Sequence, residues 1–431
     1  MHMKRRSLWT LALVALCGLA FAAAGCGGGG NEGGGATSAP PATTEAGGET
    51  GDTTAATGEP IVVGSTLPLS GPLASLGLLV QEGITAGIAD VNAEGGVDIG
   101  GTKHPITYEV LDNQSDPNLV TQQARSLIEE KGAVALLGSF TPPLSIPLSN
   151  VADQLQVPAL FSNTPLEAWQ AGNPDGWQYA WDLFADERQQ TALVYEAADR
   201  AETNKKVALF TDTEDDGVVM GALWEELAPE WGYEVVYRAN FPVGTTDYKA
   251  LIEEAKGSGA EIVVAQMIPP DGLALWKQMK ALGYAPKVAS CEKCSHFAGW
   301  RVELGELAEG TLMFGWWDPA ENNPGTDRVM ELFGEKYGES TELETTVTGY
   351  ALVTLLVDAI TRAGSADPAA INEAFGQTDL ASVIGPVKFD NHGYAIPTFM
   401  RQWQGSAQVR VTPADHPAAA AFVAPLPGFA G

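Results

Sequence analysis

From Ile61 onward, short apolar runs alternate with segments whose apolar residues recur at helical spacing, and no other property of the chain narrows its fold as far. Residues 61–63 are apolar and are closed by Gly64, the pattern of a strand covered on both faces. A loop rich in Pro, Ser and Gly follows. Val80, Ile84, Ile88 and Val91 then fall on one stripe of a helix, which Gly95 and Gly96 stop by taking left-handed backbone at little cost. The same reading places further strands at 105–111, 133–137, 157–161, 207–211, 234–237, 262–265, 287–289 and 310–314, with helical segments between them. Such alternation predicts parallel sheets with helices on both faces. The body from residue 59 onward is too long for one compact core and predicts two doubly wound α/β lobes. Ligands of such sheets sit beyond the carboxyl ends of the strands, so the loop 67–77 is the first expected wall of a cleft.

The front of the chain is built differently. Lys4, Arg5 and Arg6 precede an uncharged apolar run over 8–24, the layout of a secretory signal peptide. The exit Ala23-Ala24-Gly25-Cys26 resembles a bacterial lipobox, with Ala23 where Leu is commoner, and implies acylation of Cys26. Residues 27–58 hold eleven glycines and no side chain large enough for a core, so they are expected to act as an unstructured tether. As a coil its ends lie roughly 30 Å apart. The protein is thereby expected to be exported and lipid-anchored on the outer face of the cytoplasmic membrane, or periplasmic. Against 24 Lys and Arg stand 54 Asp and Glu, a formal charge of −30 that argues against nucleic acid and anionic membrane surfaces as partners.

Several motifs in the body resemble the leucine/isoleucine/valine-binding protein family, the solute receptors of ABC importers. Pro68 to Gly77 reads P-L-S-G-x-x-A-x-x-G, and the helix after it ends N-A-x-G-G at Asn92 to Gly96. Asp112 to Pro117 matches D-x-x-x-D-P, Asp186 and Gln189 match D-x-x-Q, and Gly385 to Gly393 matches G-x-x-x-F-D-x-x-G. The resemblance covers about residues 60–405 and implies a type I periplasmic binding fold, two lobes joined by a three-strand hinge. The first lobe is then 59–183 continued by 317–393, and the second 184–316 continued by 394–431.

In the family, a Ser in one first-lobe loop and a small residue with a Thr in the next hold the ligand's carboxylate and ammonium. Here Ser162, Asn163 and Thr164 fit the second loop, while Pro142 stands about where the family has Ser, leaving Ser139 or Thr141. Both loops lead into expected helix N-termini, where backbone N–H groups and the dipole favour a carboxylate. Thr164, Pro165 and Glu167 also have capping-box spacing, so Thr164 and Thr141 serve equally as helix caps. Aromatic positions of the family hold Leu76 and Ile268, a Tyr position holds Asp216, and Glu292 sits in the loop whose acid takes a ligand ammonium. Solvated loop charge explains Asp216 and Glu292 as readily. Trp316 and Trp317, at the crossing back to the first lobe, offer a stacking surface; core packing explains one of them equally well.

Cys291 and Cys294 are expected to pair in an exported protein. A zinc site would need four ligands, and His296 alone does not complete one. No metal and no cofactor is expected. The chain lacks G-x-S-x-G, H-E-x-x-H and G-K-[ST] patterns, so a receptor is expected ahead of an exported enzyme or a sensor domain of the same fold. Its implied partners are an ABC permease and a small polar ligand (an amino acid, an amide or an aromatic acid), with the receptor acting as a monomer.

Overall fold

The structure, a computed structural model, describes residues 58–429. The signal segment, Cys26 and the Gly-rich stretch through residue 57 lie outside the described residues. Two large sheets organise the rest. The first runs in the order Gly393–Ala395, Ala180–Phe184, Ala159–Ser162, Ala135–Leu137, Ile61–Leu67, Ile106–Asp112, and every pairing is parallel. The second runs Ala407–Arg410, Phe399–Gln404, Leu312–Gly315, Val288–Glu292, Ile262–Gln266, Lys206–Asp212, Glu234–Phe241. Its last five strands are parallel, and an antiparallel hairpin closes the other edge.

Period-two alternation explains why these strands read as unbroken apolar runs. In the second sheet Ala208, Phe210, Val263 and Ala265 enter one core cluster, while Val207, Leu209, Ile262 and Val264 enter the cluster on the opposite face. The first sheet is wrapped by Ala74–Ala93, Pro142–Leu155 and the long helix Thr341–Ala363. That long helix is apolar enough to cross a membrane, but it is a core helix, 78% buried over its most apolar window. It meets Ala74–Ala93 almost backbone to backbone, because a Cβ on Gly83 would lie 2.0 Å from the Thr346 carbonyl oxygen.

The chain passes between the sheets at three places: after Phe184, after Gly315, and between Ala395 and Phe399. At the second, the helix Thr341–Ala363 sends Glu344 into the crossing. Its carboxylate accepts the Trp316 N–H at 2.6 Å and the Trp317 N–H at 3.3 Å, and pairs with Arg401 from the second sheet. At the first crossing two helices cap each other. Glu187 accepts the N–H groups of Glu167 and Ala168 at 2.7 and 2.9 Å, and Glu167 accepts those of Glu187 and Arg188 at 2.7 and 3.3 Å.

This arrangement corrects the capping box expected at Thr164. Pro165 occupies the cap position of Leu166–Ala171, and the Thr164 hydroxyl turns away to Ser145 Oγ at 2.7 Å. Glu187 does the capping from twenty residues downstream, which local spacing does not reveal. Two small antiparallel ribbons, Val97–Ile99 with Thr102–His104 and Leu380–Ser382 with Gly385–Val387, were not expected from the sequence.

Candidate ligand-binding site

Residues at the carboxyl ends of strands from both sheets line one cavity. From the first sheet come Thr141 and Asn163, each in the loop after a strand, and Phe184 at a strand end. Gln266 ends a strand of the second sheet, Lys293 and His296 follow another, and Asp216 stands in the first turn of the helix Asp215–Leu227. Trp316 enters from the second crossing and Gln190 from the helix after the first.

Three of these residues hold unusual backbone. Thr141, Asn163 and Lys293 have φ of 63°, 60° and 66°, a region that L side chains seldom occupy. For a β-branched Thr this costs about 1–3 kcal/mol and persists only where the surroundings enforce it. Thr141 stands at the start of Pro142–Leu155 but makes no capping bond, and its buried Oγ1 has no partner among the described residues. Asn163 Oδ1 takes the hydroxyls of Ser162 and Thr348 at 2.8 and 2.9 Å, and its Nδ2 is unpartnered among the described residues. The same holds for Gln190 Nε2, Asp216 Oδ1 and Trp316 Nε1.

On the second-sheet wall, Lys293 lies among Asp212, Glu214 and Asp216. Its Nζ bonds Glu214 and reaches Asp216 Oδ2 at 3.2 Å. Burial works against its charge, yet the nearby Asp216, Glu214 and Asp212 carboxylates outweigh burial and hold its pKa above the usual lysine value. Burial pushes Asp212 up to about 8; Lys293 opposes this, and Asp216 and Glu214 reinforce it. These acids are close enough together to hold a metal ion, but Lys293 already supplies the positive charge among them.

The structure sorts the residues expected from sequence. Thr141, Asn163 and Asp216 line the cavity. Asp216 is 1% exposed and helical, so it is not a solvated loop charge. Ser162 stands behind Asn163 and orients it. Ser139 is buried with an unpartnered hydroxyl among the described residues and does not reach the cavity lining. Thr164 is committed to Ser145 and does not line it either. Ile268 occupies the position before the helix Pro269–Ala281 without a capping bond and packs into the first sheet's core. Glu292 is not in a loop: it ends the strand Val288–Glu292, where Oε2 accepts the Phe314 N–H at 3.1 Å and lies 3.5 Å from His296 Nε2. Of the two tryptophans, Trp316 faces the cavity, while Trp317 turns to the other side of the crossing and donates to the Val383 carbonyl at 2.8 Å.

Cys291 and Cys294 are joined and buried, with Cα atoms 5.6 Å apart, and bracket Glu292 and Lys293. Sequence reasoning did not find Gln190, Gln266, Lys293, His296, Phe184 or Phe314. The one local signal was the short polar span between the cysteines, which carries Lys293.

Residues 60–408 match the family described as periplasmic binding protein. The chain belongs to that family. Its Leu/Ile/Val-binding branch is represented by Leu/Ile/Val-binding protein homolog 7 of Brucella abortus, 24% identical over 381 residues that span 82% of this chain and 91% of that protein. The leucine-binding protein LivK of Thermotoga maritima superposes with a TM-score of 0.72 at 22% identity, covering 83% of this chain and 100% of that one. An ABC transporter solute-binding protein of R. palustris, solved with 4-hydroxybenzoate, superposes with a TM-score of 0.68 at 21% identity over 81% of this chain and 95% of that one. This chain is thus a periplasmic binding protein with the type I two-lobe fold, and the relatives named above are binding proteins.

Proposed function

We propose that the protein captures a small carboxylate-bearing metabolite, an amino acid or a close relative, between its lobes and presents the closed form to an ABC permease. One observation carries this reading: Thr141 Oγ1, Asn163 Nδ2, Gln190 Nε2, Asp216 Oδ1 and Trp316 Nε1, buried without partners among the described residues, belong to residues that line a single cavity from both sheets and a crossing. Each such atom costs about 1–3 kcal/mol when left unmet, so their concentration in one place favours a ligand that meets them. Thr141 Oγ1 and Asn163 Nδ2 offer donors to a carboxylate from the first lobe. Asp216 answers a donor from the second. A ligand that touches both lobes stabilises the closed state by differential contact. We take the lobes as 59–183 with 317–393 and 184–316 with 394–431, with Phe184, Tyr394 and Ala395 kept in the strands of the first sheet, and the receptor as a monomer held at the membrane through Cys26.

A second reading, an aromatic acid, is favoured by the rings on the wall. Phe184, Phe314 and Trp316 pack with centroids 5.2 to 5.9 Å apart, and the R. palustris relative was solved with 4-hydroxybenzoate. A thermal-shift screen of amino acids, amides and aromatic acids, followed by calorimetry, separates the two readings, since a specific ligand raises the melting temperature by linkage. Thr141→Ala should then lose about 1–3 kcal/mol of affinity. Unchanged affinity in that variant places the carboxylate elsewhere. Cell fractionation of Cys26→Ser tests the anchor: protein that stays in the membrane fraction defeats it.

A further inference from the structure

The second-sheet wall of the cavity is a buried charge cluster where a hydrocarbon ligand tail would need an apolar surface. Asp216 is 1% exposed, and its Oδ2 accepts Gln266 Nε2 at 2.7 Å and Lys293 Nζ at 3.2 Å. Its Oδ1 is buried without a partner among the described residues. Lys293 is shared with Glu214, so one lysine charge stands against two carboxylates before Asp212 is counted. The wall therefore carries excess negative charge and one acceptor that lacks a donor.

Three kinds of ligand tail meet this wall differently. A hydrocarbon tail would cover Asp216 Oδ1 and leave it unmet, the expensive outcome for a buried acceptor. A second carboxylate would stand against the excess negative charge. A tail that carries N–H groups supplies the donor the wall lacks. Cys291 and Cys294 bracket Lys293, whose backbone is left-handed with φ of 66°.

We infer that this wall selects a ligand whose far end bears N–H donors, a carboxamide, ureido or guanidinium group, with Asp216 as the specificity-determining acceptor positioned by Lys293 and Gln266. The inference rests on the receptor reading above, in which Thr141 and Asn163 hold the carboxylate end. Aliphatic tails are then poor ligands even though Leu76, Met220 and Phe314 supply apolar contact elsewhere in the cavity.

The test is calorimetric titration of the purified protein with glutamine, citrulline and arginine against norleucine and leucine. At least one donor-tailed amino acid should bind about ten-fold or more tightly than norleucine, which has similar length and no polar tail. Asp216→Asn places an amide where the free carboxylate oxygen stood. It should weaken that ligand by about ten-fold or more while moving leucine and norleucine by less than about three-fold. A purely structural role would weaken every ligand alike, and that result overturns the inference. Should the variant fail to fold, as read by circular dichroism, the ranking on the unmodified protein still decides. Leucine or norleucine binding as tightly as the donor-tailed compounds overturns the inference and leaves the receptor reading standing. Binding by none of these compounds overturns the inference, while the receptor reading is then decided by the amide and aromatic-acid arms of the thermal-shift screen.

Discussion

Arg401→Met removes one side of the ion pair that ties the long first-lobe helix to the second sheet. Glu344 and Arg401 are both buried, at 0% and 2% exposure, so neither charge can turn to water when its partner is lost. Arg401 also donates to the carbonyls of Gln408 and Trp317 at 2.8 and 3.1 Å, and its guanidinium lies over the Phe399 ring. Met keeps most of that volume and removes the charge. Stranding a buried charge in this way costs about 3–5 kcal/mol. Unfolding entropy of about 2.1 cal/mol/K per residue, over roughly 370 residues, turns that loss into a melting-temperature drop of about 4–6 °C. The loss should also depend on pH. Burial already pushes Glu344 up to about 7 against the pull of Arg401, and without Arg401 its pKa rises further. An acid whose folded pKa lies above its unfolded value takes its proton first in the fold, so the folded state gains stability as pH falls through that window. The deficit against wild type should therefore be larger at pH 8 than at pH 5 by scanning calorimetry. Adding Glu344→Gln to Arg401→Met should recover most of it. A deficit below about 1 kcal/mol, or one equal at both pH values, would refute the claim that a stranded Glu344 charge is the cause.

Gly83→Ala should destabilise the first lobe by about 1–3 kcal/mol in urea unfolding, because its Cβ has nowhere to go beside the Thr346 carbonyl; an unchanged midpoint counts against the close helix approach. Burial, with Asp186 adding, pushes Glu167 up to about 7, and burial pushes Asp212 up to about 8. Both folded values lie above the unfolded ones, so stability should decline as pH rises from about 4 to about 8; a melting temperature at pH 8 equal to or above that at pH 5 contradicts this. Alkylation of unreduced protein should leave Cys291 and Cys294 unlabelled by mass spectrometry, and labelling of both without reductant rules out the bridge. Cys294→Ser should cost about 2 kcal/mol by the loop-entropy relation for so short a ring, read as a lowered urea midpoint, and a midpoint at the wild-type value speaks against it.

The sequence by itself determined the layered architecture. Apolar runs such as 61–63, 207–211 and 262–265, each followed by a helical stripe, leave few alternatives to parallel sheets covered on both faces, and the structure places strands over all three. The Asp116 cap before Pro117 is equally local, because its carboxylate accepts the Asn118 N–H only two residues away. The hairpin Val97–Ile99 with Thr102–His104 left a trace in Gly100 and Gly101, whose positive φ makes its turn, but its strands are too short for periodicity to register. The cavity was only partly legible. Thr141, Asn163 and Asp216 sit near strand ends, where chain order alone marks them as facing a cleft. Whether a hydroxyl or carboxylate is spent or free depends on partners far along the chain. Thr164 is spent on Ser145, Glu292 gives Oε2 to the Phe314 N–H and keeps Oε1 without a partner among the described residues, and Asp216 is split between Gln266 and Lys293, 50 and 77 residues on. Trp316 and Trp317 are indistinguishable as neighbours in sequence, and the backbone hold of Glu344 on the crossing helps decide which one faces the cavity. Local spacing fixes which backbone conformations are cheap; only packing across the two sheets fixes which polar atoms are left for a ligand.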